Sequence, residues 1–240
     1  KMGNKLASQT PQLDYYLHDL PGIVFEQSLG NSRFLKTIRC VHDEGPVVVK
    51  VYVKRPPQND LKEYADKLRR IRDAFEKEAP CNVFPISKFV ETEKAGYLIR
   101  QYFVNNLHDR IGTRPFLTLV EKQWITYQLL HALRSSHSHG ICHGDIKCEN
   151  VMVTSWNWVY LTDFASVYKP TYIPEDSPSD FSFYFDTSGR RACYLAPERL
   201  SSSKPIRGST GDAFAAVTPE MDIFSLGCVI AELFLDRVAS

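Results

Sequence analysis

Several things are scarce in this 240-residue chain, and each scarcity closes off a class of protein. Excess charge of either sign is missing: 29 Lys and Arg meet 28 Asp and Glu, for a formal net charge of +1. That balance gives no bulk electrostatic attraction to nucleic acid or to an anionic membrane. Paired cysteines are missing. Cys40, Cys81, Cys142, Cys148, Cys193 and Cys228 form no C-x-x-C and no regular spacing. Such spacing speaks against a disulfide framework or a zinc site, and for reduced, packed thiols in a cytosolic compartment. Long apolar runs are missing too. A membrane helix needs about 18 apolar residues in a row, and the best stretch, Ile223 to Leu235, is interrupted by Ser225 and Glu232. No stretch near the start reads as a secretory signal peptide. What remains is 43% hydrophobic and 24% charged, ordinary for a soluble globular protein of one or two domains with a sizeable core.

Residues 1–20 are polar and mixed, and read as a loosely held arm. Met2-Gly3 followed by Asn4 resembles a myristoylation signal on Gly3, although Ala7 stands where Ser or Thr is usual. From Ile23 the pattern becomes strand-like. Ile23–Phe25, Phe34–Val41 and the β-branched run Val47–Val53 are separated by turns at Ser28–Asn31 and Asp43–Gly45. Asp60–Glu78 carries Leu61, Tyr64, Leu68, Ile71 and Phe75 at helical spacing. Val83–Val90 and Tyr97–Phe103 read as two more strands. Leu119–Ser138 reads as a long amphipathic helix bearing Val120, Trp124, Ile125, Leu129, Leu130 and Leu133. Val151–Val153 and Val159–Leu161 are short strands, 166–192 is irregular, and Met221–Leu235 is an apolar helix.

The stretch with most chemistry is His143-Gly144-Asp145-Ile146-Lys147-Cys148-Glu149-Asn150, followed by Asp163-Phe164-Ala165. Phosphoryl transfer from a nucleoside triphosphate needs such groups: one Asp to orient a hydroxyl, a Lys to neutralise the moving phosphoryl group, and an Asn and a second Asp to hold Mg²⁺. Turn and cap roles are the bland reading of each residue alone.

Lys50 after Val47–Val49, the HGDIKCEN block, DFA and Ala196-Pro197-Glu198 follow one another in the order of a eukaryotic protein kinase. The chain resembles that superfamily over about residues 23–235. More narrowly, VVVKVY, NNLHDRIGTRPFL and HGDIKCENVMVTSWNWVYLTDFAS resemble the kinase-like regulatory subunits of class III phosphatidylinositol 3-kinase complexes, in the vacuolar protein sorting family. The resemblance implies an α+β fold: a bilobal protein-kinase domain with a five-stranded, one-helix N-lobe at 23–104, after an arm at 1–22. A mainly helical C-lobe at 105–240 is expected to be truncated.

It also implies roles. Asp145 is the expected catalytic base and Lys147 the phosphoryl stabiliser. Asn150 and Asp163 are the expected Mg²⁺ ligands. Gly30, Lys50, Gln101 and Phe103 are expected at the nucleotide. Glu63 or Asp66 is the ion-pair candidate for Lys50, or both are surface charges. Several positions depart from the family pattern. A G-x-G-x-x-G loop would fall on Ser28, Gly30 and Arg33, so only Gly30 remains. Gly144 replaces the Arg of H-R-D, and control by an activation-loop phosphate is not expected. Ala165 replaces the Gly of D-F-G, and its methyl restricts the backbone there. Arg100 falls at the back of the base pocket or points to solvent. Arg191 stands where a substrate-binding Thr is usual, and Thr187 and Ser188 are nearby hydroxyls. The aromatic, acidic stretch 166–192 reads as a docking surface or a self-folding lid. Asp222 reads as the anchor of the catalytic loop or a helix N-cap.

The function implied is that of a non-specific serine/threonine protein kinase-like regulatory subunit using ATP, or another purine nucleotide, with Mg²⁺. The implied partners are the class III lipid kinase and its sorting and autophagy subunits. The implied location is the late endosome, autophagosome or vacuole membrane, reached through an N-terminal lipid. The competing expectation is a pseudokinase scaffold acting through protein contacts alone.

Overall fold

A computed structural model describes residues 16–31, 35–54, 61–76, 82–84, 88–166, 169–186, 190, 192–201 and 216–235. Gly3, Arg33, Thr187, Ser188 and Arg191 lie outside them. The chain divides into two compact units: residues up to 72 with 86–102, and residues 73–85 with 103 onward.

The first unit is a five-stranded antiparallel sheet. Its strands are β1 (Val24–Asn31), β2 (Leu35–His42), β3 (Gly45–Val53), β4 (Lys88–Glu91) and β5 (Ala95–Gln101), in the order β1-β2-β3-β5-β4. Alternation along β3 sends Val49 and Val51 to one face, where they bury Ile38, Cys40, Ala95 and Tyr97. Leu17 and Leu20 cap that face. The Tyr97 hydroxyl lies 2.9 Å from Tyr16 O and 3.1 Å from Asp19 Oδ2. Asp19 also accepts from Thr92 Oγ1 at 3.2 Å and pairs with Lys94 at 3.7 Å. The end of the supposedly loose arm is thus docked. Polar composition hid this, because the docking rests on a few scattered groups, Tyr16, Leu17, Asp19 and Leu20.

The other face of the sheet carries Lys50, which stands opposite Thr37 on β2 and Leu98 on β5. Helix α1 (Lys62–Phe75) begins against this face. The Leu61 side chain fills the space beside Gly96, where an added Cβ would come within 2.4 Å of Leu61 Cδ1. Tyr64 meets Tyr52 of β3 edge to face at 5.1 Å, with their hydroxyls 3.0 Å apart. The apolar positions read from helical spacing, Leu61, Tyr64, Leu68, Ile71 and Phe75, are all buried.

The strand expected at Val83–Val90 is not one element. Among its described residues, 88–91 joins the sheet. Val83 instead bridges Leu161 in parallel within the second unit, Phe84 N–H donates to Leu161 O at 2.9 Å, and Leu161 N–H donates to Asn82 O at 2.8 Å. The boundary expected at 104 is therefore crossed by 73–85, which is part of the second unit. Two unrelated apolar patches in sequence looked like one strand.

The second unit contains α2 (Leu107–Gly112), α3 (Leu119–Ser138), α4 (Pro178–Tyr184) and α5 (Pro219–Phe234). A small sheet pairs β6 (Asn105–Asn106), β7 (Val151–Val153) and β8 (Val159–Leu161), and β9 (Ile173–Pro174) runs parallel to β10 (Leu200–Ser201). A capping box starts α3: Glu121 N–H donates to Thr118 Oγ1 at 3.3 Å and Thr118 N–H to Glu121 Oε2 at 2.8 Å. The buried face of α3 is Ile125, Gln128, Leu129, Ala132 and Leu133. Val120, Trp124 and Leu130, expected on the apolar face, are exposed. A polar Gln128 takes the inner position because it clamps the β7–β8 hairpin. Its Oε1 accepts from Val159 N–H at 3.0 Å and Asn82 Nδ2 at 3.2 Å, and its Nε2 donates to Asn157 O at 2.9 Å. No helix among the described residues is long and apolar enough to cross a membrane. A five-stranded, one-helix first unit and a mainly helical second unit agree with the expected α+β kinase architecture.

Candidate active site

The catalytic stretch hangs from one buried carboxylate. Asp222, in the first turn of α5, is 1% exposed. Its oxygens accept from His143 N–H at 2.7 Å and Gly144 N–H at 2.8 Å, and His137 Nε2 is 3.1 Å away. Asp222 is thus the loop anchor, and Thr218 holds the N-cap position. His143 is fully buried and packs on Phe164 with ring centroids 4.4 Å apart. Burial pulls its pKa down, against Asp222, which pulls it up. The neutral ring donates from Nε2 to Thr162 O at 2.8 Å and accepts Asp145 N–H at Nδ1 at 3.1 Å.

Gly144 has φ +78°, and a Cβ there would lie 3.0 Å from Ala165 Cβ and 3.2 Å from Val217 Cγ2. The two departures from the family pattern therefore touch. The Ala165 methyl fills the ground a side chain at 144 would need, and Ala165 N–H donates to His143 O at 2.8 Å. Asp163, immediately before Phe164, has φ +64°, a backbone region that a non-glycine residue occupies at a cost.

Asp145 and Asn150 are locked together. Asn150 Nδ2 donates to Asp145 O at 2.7 Å and to Asp145 Oδ2 at 3.1 Å. Thr162 donates to Asn150 O through both N–H (2.9 Å) and Oγ1 (3.2 Å), so Asp163 follows directly on a residue docked at Asn150. With its amino group spent on Asp145, the Asn150 amide offers its carbonyl oxygen. That oxygen and the Asp163 carboxylate are hard donors of the kind Mg²⁺ takes.

Asp145 has a second partner that carries no sequence signal. Lys169 Nζ lies 2.5 Å from Asp145 Oδ2, while Lys147 Nζ is 3.9 Å from it. Burial raises the Asp145 pKa, but Lys169 first and Lys147 second bring it below the usual carboxylate range. Burial pulls Lys169 down to about 8, against Asp145. Lys147 Nζ donates to Phe185 O at 3.2 Å. Arg199, directly after the A-P-E motif, is 2% exposed. It donates to Thr171 O at 2.8 Å, Gly144 O at 3.0 Å and Pro170 O at 3.4 Å. Glu198 beside it is exposed. The stretch read as irregular contains α4 and β9, and Ile173, Phe185 and Leu195 form a small core of its own. Leu195 and the β10 partner of β9 both lie beyond that stretch, so it packs on the segment that follows it.

A further polar knot ties this stretch down. Arg190 pairs with Glu149 at 3.0 Å and with Glu232 of α5, and the Tyr194 hydroxyl donates to Glu232. The Cys148 thiol donates to Glu232 Oε2 at 3.4 Å, and burial followed by that carboxylate raises its pKa.

Phe103 is the one expected nucleotide residue in this unit. Its ring meets Phe84 at 5.2 Å and Tyr160 at 5.6 Å. In the first unit Lys50 is half-buried on β3, Gly30 sits in β1, and Gln101 is exposed at the end of β5. A Cβ at Gly30 would meet nothing within 4 Å. Glu63 is exposed on α1, and Asp66 pairs with Arg69 one turn on at 2.5 Å. Arg100 does not point to solvent: it is 8% exposed and donates to Gln101 O at 3.1 Å.

Similarity to known proteins agrees with this geometry. The protein kinase domain family matches residues 23–239. Serine/threonine-protein kinase VPS15 of Arabidopsis thaliana is 57% identical over 98% of this chain, and the match covers 16% of that protein. The probable serine/threonine-protein kinase vps15 of Dictyostelium discoideum is 56% identical over 98% of the chain and 12% of its own length. VPS15 of Saccharomyces cerevisiae is 46% identical over 96% and 16%. The chain therefore spans less than a fifth of the length of these relatives. With the motif order, the two-unit architecture and the family match in agreement, the chain belongs to the protein kinase domain family.

Proposed function

We propose that this chain is the protein kinase domain of a VPS15-type regulatory subunit, which binds a purine nucleoside triphosphate with Mg²⁺ and transfers the γ-phosphoryl group to serine or threonine hydroxyls at a low rate. The carrying observation is that Asp145, Lys147 and Asn150 share one loop, whose backbone donors converge on Asp222. Asp145 accepts the hydroxyl proton as the hydroxyl oxygen bonds to the γ-phosphorus and the bond to the β–γ bridging oxygen breaks, releasing the nucleoside diphosphate. Lys147 offsets charge on the transferring group. Asn150 and Asp163 would hold Mg²⁺, which neutralises charge on the phosphates. Lys50, on the sheet face where α1 begins, would meet the α- and β-phosphates. By the same reading the domain serves a class III phosphatidylinositol 3-kinase in sorting and autophagy, on endosomal, autophagosomal or vacuolar membrane, with a lipid on Gly3.

The second reading, a scaffold without turnover, draws support from one observation, the Lys169–Asp145 pair on the catalytic base. Autophosphorylation by the full-length protein in its complex separates the two. Asp145→Asn should lower the signal at least about tenfold, as loss of a general base does. Equal signal in native and variant supports the scaffold. Stabilisation by Mg²⁺ and nucleotide, followed by thermal melting, tests binding independently of turnover.

A further inference from the structure

Three side chains of different chemistry converge where the last turn of α3, the chain entering the catalytic loop and the first turn of α5 meet. His137, Cys142 and Asp222 each bring a ligand atom within 4.8 Å of the other two. A Schellman turn sets the first pair. Gly140, at φ +65°, donates to His137 O at 2.9 Å, and Ile141 N–H donates to Ser136 O at 3.0 Å. That closure turns the chain back, so Cys142 returns beside the His137 ring. Asp222 is held by the loop backbone: Oδ1 accepts from Gly144 N–H at 2.8 Å and Oδ2 from His143 N–H at 2.7 Å. A carboxylate oxygen has two lone pairs, so Oδ2 keeps one, and His137 Nε2 is 3.1 Å from it. Imidazole, thiolate and carboxylate are the ligand types that zinc takes. A sulfur donor speaks against Mg²⁺ and Ca²⁺, which take oxygen. Tetrahedral zinc, with bonds of about 2.0–2.3 Å, holds its ligands about 3.3–3.6 Å apart. His137 and Asp222 are already near that spacing, and a small rotation of the Cys142 side chain closes the rest. Charge also balances. Asp222 is 1% exposed, and a thiolate beside it would place two anions out of water, a cost that a dication removes. His137 and Cys142 are only partly buried, so water has a path to the cluster.

We propose that His137, Cys142 and Asp222 form a zinc-binding site, with water as the fourth ligand, that clips α3 to α5 at the anchor of the catalytic loop. On binding, the Cys142 thiol gives its proton to solvent and the sulfur bonds the ion. His137 binds through Nε2, with its ring proton on Nδ1. Asp222 binds through Oδ2 and keeps both backbone donors, which serve as the outer shell that orients a ligating carboxylate. The site shares no ligand with Asn150 and Asp163, the expected Mg²⁺ pair, and stands independently of the phosphotransfer reading. Cysteine spacing carries no sign of it, because the ligands come from three separate segments.

The test uses full-length protein stripped of metal by a chelator, alongside Cys142→Ala and His137→Asn. Cys142→Ala removes a ligand and leaves the hydrogen bonds on Asp222 in place. Zn²⁺ titrated against a chromophoric chelator should bind native protein with one more equivalent than either variant. Affinity at that site should fall about 100-fold or more on losing a ligand, since loss of an outer-shell partner alone costs about 10–100-fold. Co²⁺ serves as the optical probe: native protein should show a thiolate-to-cobalt charge-transfer band that Cys142→Ala lacks. Amide exchange at 142–146 should slow on adding Zn²⁺ to native protein and stay unchanged in Cys142→Ala. Equal Zn²⁺ stoichiometry and affinity in native protein and both variants overturns the site. So does a cobalt band that survives Cys142→Ala undiminished. Should a variant misfold, alkylation of Cys142 in native protein decides: protection by Zn²⁺ that a chelator reverses supports the site, and equal labelling with and without Zn²⁺ overturns it.

Discussion

The two units hold their chemical groups by different means. In the first, Lys50 and Gly30 are placed by strand register: Lys50 by pairing with β2 and β5, Gly30 by an irregular edge pairing with Thr37. Around Gly30 there is open space, and Glu63 and Asp66 lie on the outer side of α1. In the second, the catalytic loop is tied by hydrogen bonds: His143 and Gly144 N–H to Asp222, Asn150 to Asp145 and Thr162, and Lys147 to Phe185 O. Register tolerates substitution of a side chain, because backbone pairing does not depend on it. A buried polar network does not, because each deletion strands a desolvated partner. The second unit should therefore be far more sensitive to single changes at its site.

Asp222→Ala should show the largest effect. It strands the His143 and Gly144 N–H groups in the interior, at a cost of about 3 kcal/mol or more. Native-state exchange at α3 and the catalytic loop in the full-length protein measures it, and a loss below about 1 kcal/mol would break the contrast between the units. Gly144→Ala comes next. The left-handed backbone and the Ala165 contact together should cost about 2 kcal/mol. Adding Ala165→Gly should restore about 1 kcal/mol of it, and a double-mutant cycle without coupling would show that the two positions are independent. In the first unit Gly96→Ala pushes on Leu61 Cδ1, the end of a side chain that can shift, so about 1 kcal/mol is expected at β3–β5 amides. Gly30→Ala should be smallest, within about 0.5 kcal/mol of native. Any fall in nucleotide affinity in that variant would then report direct contact with a phosphate, since nothing in the fold resists the methyl group.

Long periodic elements were legible before any coordinates. Leu119–Ser138 and both strands of the β7–β8 hairpin fall where the pattern put them, and the α1 apolar stripe is the buried one. Strong local signals, a capping box and β-branched runs flanked by turns, act within a few residues and need no tertiary context. Errors came where two distant segments decide the outcome. Val83 reads as a strand residue and is one in pairing, but its partner is Leu161 rather than the sheet that follows it. Trp124 reads as core, yet Gln128 takes the inner face because the hairpin backbone needs a clamp there.

The same division runs through the candidate site. The sequence by itself determined the chemical inventory: Asp145, Lys147, Asn150 and Asp163 at spacings that few other chemistries use, and a kinase-type order of motifs around them. It also flagged Gly144 and Ala165 as departures, but could not say that they touch. Only the tertiary structure decided that one methyl fills the space the other residue leaves open. It alone placed Lys169 on Asp145 and Phe185 O on Lys147, across separations that no local pattern spans. The physical reason is that a motif fixes which groups a short loop can present, whereas the neighbours those groups meet depend on how a distant segment buries its aromatic side chains.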